Sequence, residues 1–288
     1  MHKTNDTRRA FTIVEMLVTV SIIALLVGLL LPGLGMVRAT ARATKSQSNL
    51  RQWGLGTLAW AGLNNERLPW EGMKDAGQMS VNLASAKYWA NAIPPMVGQQ
   101  PYSEVSETAF LEQRSVPLAG ESDSIFIDPS AVPESDQGHG FGEPGGGGFR
   151  RQFYFNYVPN SQLNNTFLSR ANLPEYSPDF TMSLAQMQFA DKTVLMLEMR
   201  SRQSELPSTD CWYSALLNRH RSDWKRFAAR HFKGGHIAYA DGHVGWMLNE
   251  EATTNSRGVR CSDAGFTADD DWNTPKLVWD PIGPATDE

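Results

Sequence analysis

From Met16 to Leu31 the chain reads MLVTVSIIALLVGLLL, sixteen residues without a formal charge, and reaching back to Phe11 makes a 21-residue stretch interrupted only by Glu15. At 1.5 Å per residue such a run spans roughly the 30 Å hydrocarbon core of a bilayer. A secretory signal has the same order of parts, since Lys3, Arg8 and Arg9 precede the apolar run. Three features separate this segment from a signal: its length, the acid at its start, and a continuation that reads as more helix instead of a cleavage site and loop. A mean hydropathy of −0.38 excludes a polytopic membrane protein. The segment therefore reads as a single membrane anchor.

Beyond the apolar run the helical signal persists. Arg38, Arg42 and Lys45 recur at i, i+4 and i+7, and Leu50, Trp53, Leu58 and Ala61 supply an apolar stripe until Asn64-Asn65 and Pro69 stop it. A helix from Phe11 to about Leu63 is expected, kinked or unwound at Pro32 between its neighbouring glycines. Charge is uneven along the chain. Residues 1–51 hold seven Lys/Arg against two Asp/Glu, a net +5, which leaves 19 against 29, or −10, for the rest of a chain whose total is −5. An acidic body argues against general affinity for nucleic acid, which needs concentrated positive charge.

Glu15 demands an explanation, because an ionised carboxylate in a membrane helix costs on the order of 3 kcal/mol. Snorkelling to the interface is one answer. A partner is another. The run Arg8-Arg9-Ala10-Phe11-Thr12-Ile13-Val14-Glu15, followed by Met16-Leu17-Val18, resembles the type IV prepilin and type II secretion pseudopilin class. The resemblance implies removal of a basic leader between Ala10 and Phe11 by a prepilin peptidase, N-methylation of Phe11, and neutralisation of a neighbouring subunit's terminal amine by Glu15. Ala10 stands where Gly is usual in that class. The resemblance further implies a bacterial inner-membrane protein with one span, a cytoplasmic leader and a body in the periplasm or outside the cell. Its partners would be the peptidase, other pilin-like subunits, the assembly platform and membrane lipid. The implied division is leader 1–10, helix 11–64 with its transmembrane part at about 11–33, and an extracytoplasmic domain 65–288.

In the body, Ser124–Ile127, Arg151–Val158, Thr193–Glu198 and His236–Ala240 read as short strands bounded by Pro, Gly, Asp or Asn. A long anchored helix followed by an antiparallel sheet is an α+β arrangement, and pilin-like folds have it. Asp241-Gly242 reads as a two-residue hairpin turn that pairs Tyr239 with Val244 and Ile237 with Trp246, all four on one face. His231, nine residues and then Asp241-Gly242 resembles a carboxy-terminal signature of a large bacterial group of prepilin-type proteins, where Pro or Gly more often follows the His than Phe232 and Lys233 do. An architectural role is expected for these three residues. Cys211 and Cys261, the only cysteines, are expected to form one bridge in an extracytoplasmic body.

Competing chemistry is thin. His220, His231, His236, Asp241 and His243 crowd together and include zinc-ligand types, yet His236 and His243 lie about four residues apart along the expected ladder, roughly 13 Å. Asp269, Asp270 and Asp271 offer carboxylates to calcium without a Gly to turn them onto one point. The interleaving of Arg219, Arg221, Lys225, Arg226, Arg230 and Lys233 with Trp224, Phe227 and Phe232 suits single-stranded nucleic acid, as in a DNA-binding minor pilin. The glycines of 138–148 lack the Gly-Lys-Ser/Thr of a phosphate loop, and no Gly-x-Ser-x-Gly elbow exists. The expectation is a structural subunit with no enzymatic activity, cofactor or metal; a membrane-anchored zinc hydrolase is the remaining alternative.

Overall fold

The computed structural model describes residues 12–71, 85–112, 124–131, 155–163, 181–200, 221–261 and 271–282. It divides into two compact units, Met1–Arg42 and Ala43–Glu288. Helix α1, Ile13–Leu63, supplies the described part of the first unit and the opening of the second. The remaining elements among the described residues are α2 (Trp89–Ala92), α3 (Tyr102–Leu111), β1 (Tyr157–Pro159), β2 (Val194–Glu198), β3 (Gly234–Tyr239), β4 (Val244–Leu248) and α4 (Asn249–Ala252), with 3-10 turns at Pro94–Val97, Leu184–Gln186 and Trp224–Arg226. The strands form one antiparallel sheet in the order β1-β2-β3-β4. The layout is α+β and consistent with a pilin-like fold.

In the first unit, the large apolar side chains from Ile13 to Val37 are exposed, the reverse of what a water-soluble helix does with such residues. Among the described residues one helix, α1, is long and apolar enough to cross a membrane. It runs unbroken through Pro32, where a kink or unwinding was expected. The proline forfeits a single N–H to the carbonyl of Gly28, and Gly28, Gly33 and Gly35 leave open space around it.

In the second unit, the buried positions of α1 are Ala43, Ser46, Asn49, Leu50, Trp53, Gly54, Gly56, Thr57 and Ala61, a stripe of helical period. This stripe lies on one face of the sheet. Thr57 Oγ1 is 3.6 Å from Met196 Sδ, and a Cβ on Gly54 would sit 3.3 Å from that of Ala238. Leu195, Leu197 and Ile237 point to the opposite face and are equally buried, so the sheet centre is covered on both sides. Trp53 anchors an aromatic cluster, edge-on to Trp89 at 5.2 Å and to Phe126 at 5.0 Å. Full burial of Leu50 or Trp53 contributes about 2–3 kcal/mol each. Positive φ at Asn65 and Glu66, with Glu66 N–H donating to Ala61 O, ends the helix where the sequence places its stop.

Further sequence expectations fail here. Of the expected strand Arg151–Val158, residues 151–154 lie outside the described residues, Phe155 and Asn156 are not strand, and β1 is Tyr157–Pro159. Ser124–Ile127 is a buried turn and not a strand. Its carbonyls are satisfied by side chains of α1, since Trp53 Nε1 donates to Ile125 O at 2.7 Å and Asn49 Nδ2 to Ile127 O at 3.1 Å, and no ladder is needed. The β3–β4 register is also off by one. Ala238 pairs with Val244, Ile237 with Gly245 and His236 with Trp246, which leaves Trp246 47% exposed while Ile237 is buried. The connection is longer than two residues: Gly242 N–H closes a turn onto Tyr239 O, and Gly242 itself takes φ +94° before Tyr239 N–H reaches His243 O. That is a type I turn with a glycine bulge, and Asp-Gly suits it as well as it suits a two-residue turn.

Candidate functional site

At the start of α1, Thr12 and Glu15 form a reciprocal cap. The Glu15 carboxylate accepts from Thr12 N–H and Oγ1, both at 2.9 Å, while Glu15 N–H donates to Thr12 Oγ1 at 3.2 Å. This is the Thr-x-x-Glu capping box, which satisfies amide donors that a helix start leaves orphaned. Glu15 thus has an intrachain task that neither snorkelling nor pairing with a neighbour had supplied. Ala10 and Phe11 lie outside the described residues.

A second site lies inside the globular unit, where α1, β1, β2, β3 and the turn carrying Asp128 converge. Glu198, fully buried at the end of β2, is its hub. Glu198 Oε1 accepts from Ser46 Oγ at 2.5 Å and lies 2.7 Å from His236 Nδ1, and Oε2 accepts from His236 N–H at 3.0 Å. His231 Nε2 faces two carboxylates, 3.2 Å from Asp128 Oδ2 and 3.6 Å from Glu198 Oε1. Because Ser46 gives its proton to Glu198, Tyr157 Oη, 2.8 Å from Ser46 Oγ, is the donor of that pair. Arg230 braces the far side, donating to Asp128 Oδ2 at 3.3 Å and to Met199 O at 2.7 Å.

Two buried carboxylates need compensating charge. Burial pushes the Asp128 carboxyl up, but the His231 hydrogen bond, the Arg230 and His231 charges and the Ser130 amide outweigh it and hold it below the usual range. Burial pulls the His231 imidazole down, yet the bond to Asp128 and the charges of Glu198 and Asp128 raise it above its ordinary value. Tyr157 is pushed far up, first by burial and then by the two carboxylates, so it stays a neutral donor. Arg230 and His231 are thus the basic groups that face the two carboxylates.

The segment that presents His231 is strained. His231 and Gly234 exchange two backbone hydrogen bonds of 3.0 Å around Phe232 and Lys233, whose φ angles are +54° and +66°. A two-residue turn with both φ positive is the hairpin type that favours Asn-Gly, and each other residue there costs about 1–2 kcal/mol. Trp246 closes the turn by donating Nε1–H to His231 O at 2.8 Å. Its ring lies where Gly234 has no side chain, since a Cβ there would come within 2.7 Å of the indole.

The carboxy-terminal motif residues therefore part company. His231 is in the buried network, Gly242 shapes the hairpin tip against Leu58, and Asp241 Oδ1 sits in solvent against His243 Nδ1 at 2.6 Å. His243 is remote from the network, as its place on the hairpin requires, and His220 lies outside the described residues. Sequence reasoning missed Asp128 and Glu198, and no spacing signal marks either one. The basic and aromatic segment is divided: Arg221 pairs with Glu71 at 2.5 Å, Arg226, Trp224 and Phe227 are buried, and Phe232 and Lys233 are exposed. Cys261 is buried, and Cys211, Asp269, Asp270 and residues 138–148 lie outside the described residues.

What the amino-terminal cap belongs to is decided by comparison with known families. Residues 5–31 match the family model of the prokaryotic N-terminal methylation motif. This prepilin-type motif includes Ala10, Phe11, the Thr12–Glu15 cap and the apolar half of α1. It supports a type IV pilin- or pseudopilin-like chain that a prepilin peptidase processes and that assembles with other pilin subunits. Together with the single apolar helix, it is consistent with a single-pass inner-membrane protein. The match ends before the globular unit, so His231, Asp241 and Gly242 rest on geometry alone. No curated protein and no solved structure matches the chain.

Proposed function

We propose that the chain is a non-enzymatic structural subunit of a type II secretion or type IV pilus-like filament. The observation that carries this reading is the prepilin-type motif at residues 5–31 laid over an exposed apolar helix whose sole early charge, Glu15, sits at its first turn. Cleavage between Ala10 and Phe11 leaves an N-methylated Phe11 four residues before Glu15. In the single chain the Glu15 carboxylate is held by Thr12 donors, and a neighbouring subunit's terminal amine competes for the same oxygen during assembly. Leader 1–10 stays in the cytoplasm, the span at about 11–33 lies in the inner membrane, and the domain 65–288 is delivered to the periplasm or beyond. The assembly platform and sister subunits are its partners, and nucleic acid is not.

Intact-mass analysis and amino-terminal sequencing of the native protein should start at N-methyl-Phe11. A chain still beginning at Met1 in a peptidase-competent cell sinks the reading. Glu15→Ala should insert normally but lose most crosslinked oligomer, and undiminished crosslinking leaves Glu15 with its capping role alone.

A further inference from the structure

We propose that Glu198, His231 and His236 form a structural binding site for one divalent transition-metal ion of the zinc type. Glu198, His231 and His236 each offer one ligand atom, and those atoms all lie within 4.8 Å of one another. Ligands at the 2.0–2.1 Å typical of zinc to N and O stand about 3.4 Å apart in a tetrahedron. The His236–Glu198 and His231–Glu198 separations, 2.7 and 3.6 Å, bracket that spacing. The shift of a few tenths of an ångström that binding requires is within the reach of χ rotations.

The donor set and its surroundings choose the ion. Two imidazole nitrogens with a carboxylate oxygen suit zinc and its neighbours in the transition series, and they do not suit the all-oxygen shells of calcium or magnesium. The carboxylate ligand is held by an outer partner, Ser46, which donates to Glu198 Oε1. Partners of this kind orient metal ligands and are a regular part of such sites. All three ligand residues are at most 5% exposed, so no coordination position opens to substrate. A closed site of this kind is structural and not catalytic. The ion joins β2, β3 and the strained turn at one point.

The test uses the untagged full-length chain in detergent, stripped with chelator and dialysed against zinc as the sole transition metal. Elemental analysis should find about one zinc per folded chain, and X-ray absorption at the zinc edge should show a shell of N and O neighbours without sulfur. Cobalt in place of zinc should give the intense visible bands of a tetrahedral site. His236→Gln should lose the ion while the exposed His243→Gln keeps it, and the zinc content and spectra of the wild-type chain decide the matter even if His236→Gln fails to fold. A folded wild-type chain that takes up no zinc, a shell containing sulfur, or full zinc retained by a folded His236→Gln overturns the proposal.

Discussion

Ser46 of α1 donates its hydroxyl to Glu198 Oε1 of β2 across 2.5 Å, a bond between residues 152 positions apart in a setting fully closed to water. It is a polar link between the helix and the sheet face on which it lies, and Tyr157 Oη is tied to Ser46 Oγ. Removing the hydroxyl leaves a buried carboxylate short of a donor and a buried phenol short of an acceptor. Ser46→Ala should therefore cost about 1–3 kcal/mol, well above the effect of deleting a single solvated hydroxyl. Denaturant unfolding of the full chain in detergent measures it. A loss under about 0.5 kcal/mol would show that the network tolerates a missing member.

Gly234 and Gly62 make opposite predictions from one substitution. A Cβ on Gly234 would fall 2.2 Å from Met247 O, a backbone atom that cannot swing away, whereas one on Gly62 meets nothing within 4 Å. Gly234→Ala should destabilise by about 3 kcal/mol or more through separation of β3 from β4. Gly62→Ala, in the last turn of α1, should stabilise by about 0.5–1 kcal/mol. The pair is read by thermal melts of both variants beside wild type, and equal melting temperatures would refute the close approach.

At the hairpin tip the two motif residues should differ. Gly242 holds φ +94° with Leu58 Cδ1 only 2.9 Å from where a Cβ would stand, so Gly242→Val meets both backbone strain and a clash. Asp241→Asn keeps an acceptor for the His243 amide, and Asn suits the same turn. Loss of folded protein with Gly242→Val and a near-native melt with Asp241→Asn are expected. The reverse ordering would assign Asp241 a chemical task.

Alkali should loosen the fold through Tyr239. Burial, then the charges of Glu251 and Asp241, push its phenol up to about 12 from an ordinary 10. A group whose pKa is raised by folding contributes stability that is whole below the unfolded value and disappears as pH climbs through the folded one, so the loss falls between about pH 10 and 12. Two units correspond to roughly 2 kcal/mol after allowance for partial solvation. Tyr239→Phe should flatten that part of the profile, and an unchanged slope between pH 9 and 11.5 would count against the assignment.

Much of this architecture is legible in the residues themselves. The exposed apolar run, its continuation to Leu63 and the strands around Val194–Glu198 and Gly234–Tyr239 follow from period and composition, because each is a local property. Register was not legible, since Asp-Gly fits both a two-residue turn and the bulged turn found, and a slip of one residue sends Trp246 to the surface. Ser124–Ile127 imitates a strand because a buried turn and a buried strand need the same apolar side chains. The polar network was half legible: His231 stands in a recognisable spacing, but Asp128 and Glu198 join it through tertiary contacts that no local pattern encodes.

Those contacts also govern how the body comes into being. The bonds that close the network join positions 152, 111 and 103 residues apart, and its last member, His236, is made well after its first. Closure of such loops carries an entropic cost that local structure does not repay, so this core sets late and slowly. Until β3 has been delivered, Asp128 and Glu198 are anions without their imidazoles, and no fragment ending before His236 can bury them. A protease that removes the carboxy-terminal fifth of the chain would thus leave a product unable to rest in a shortened native state.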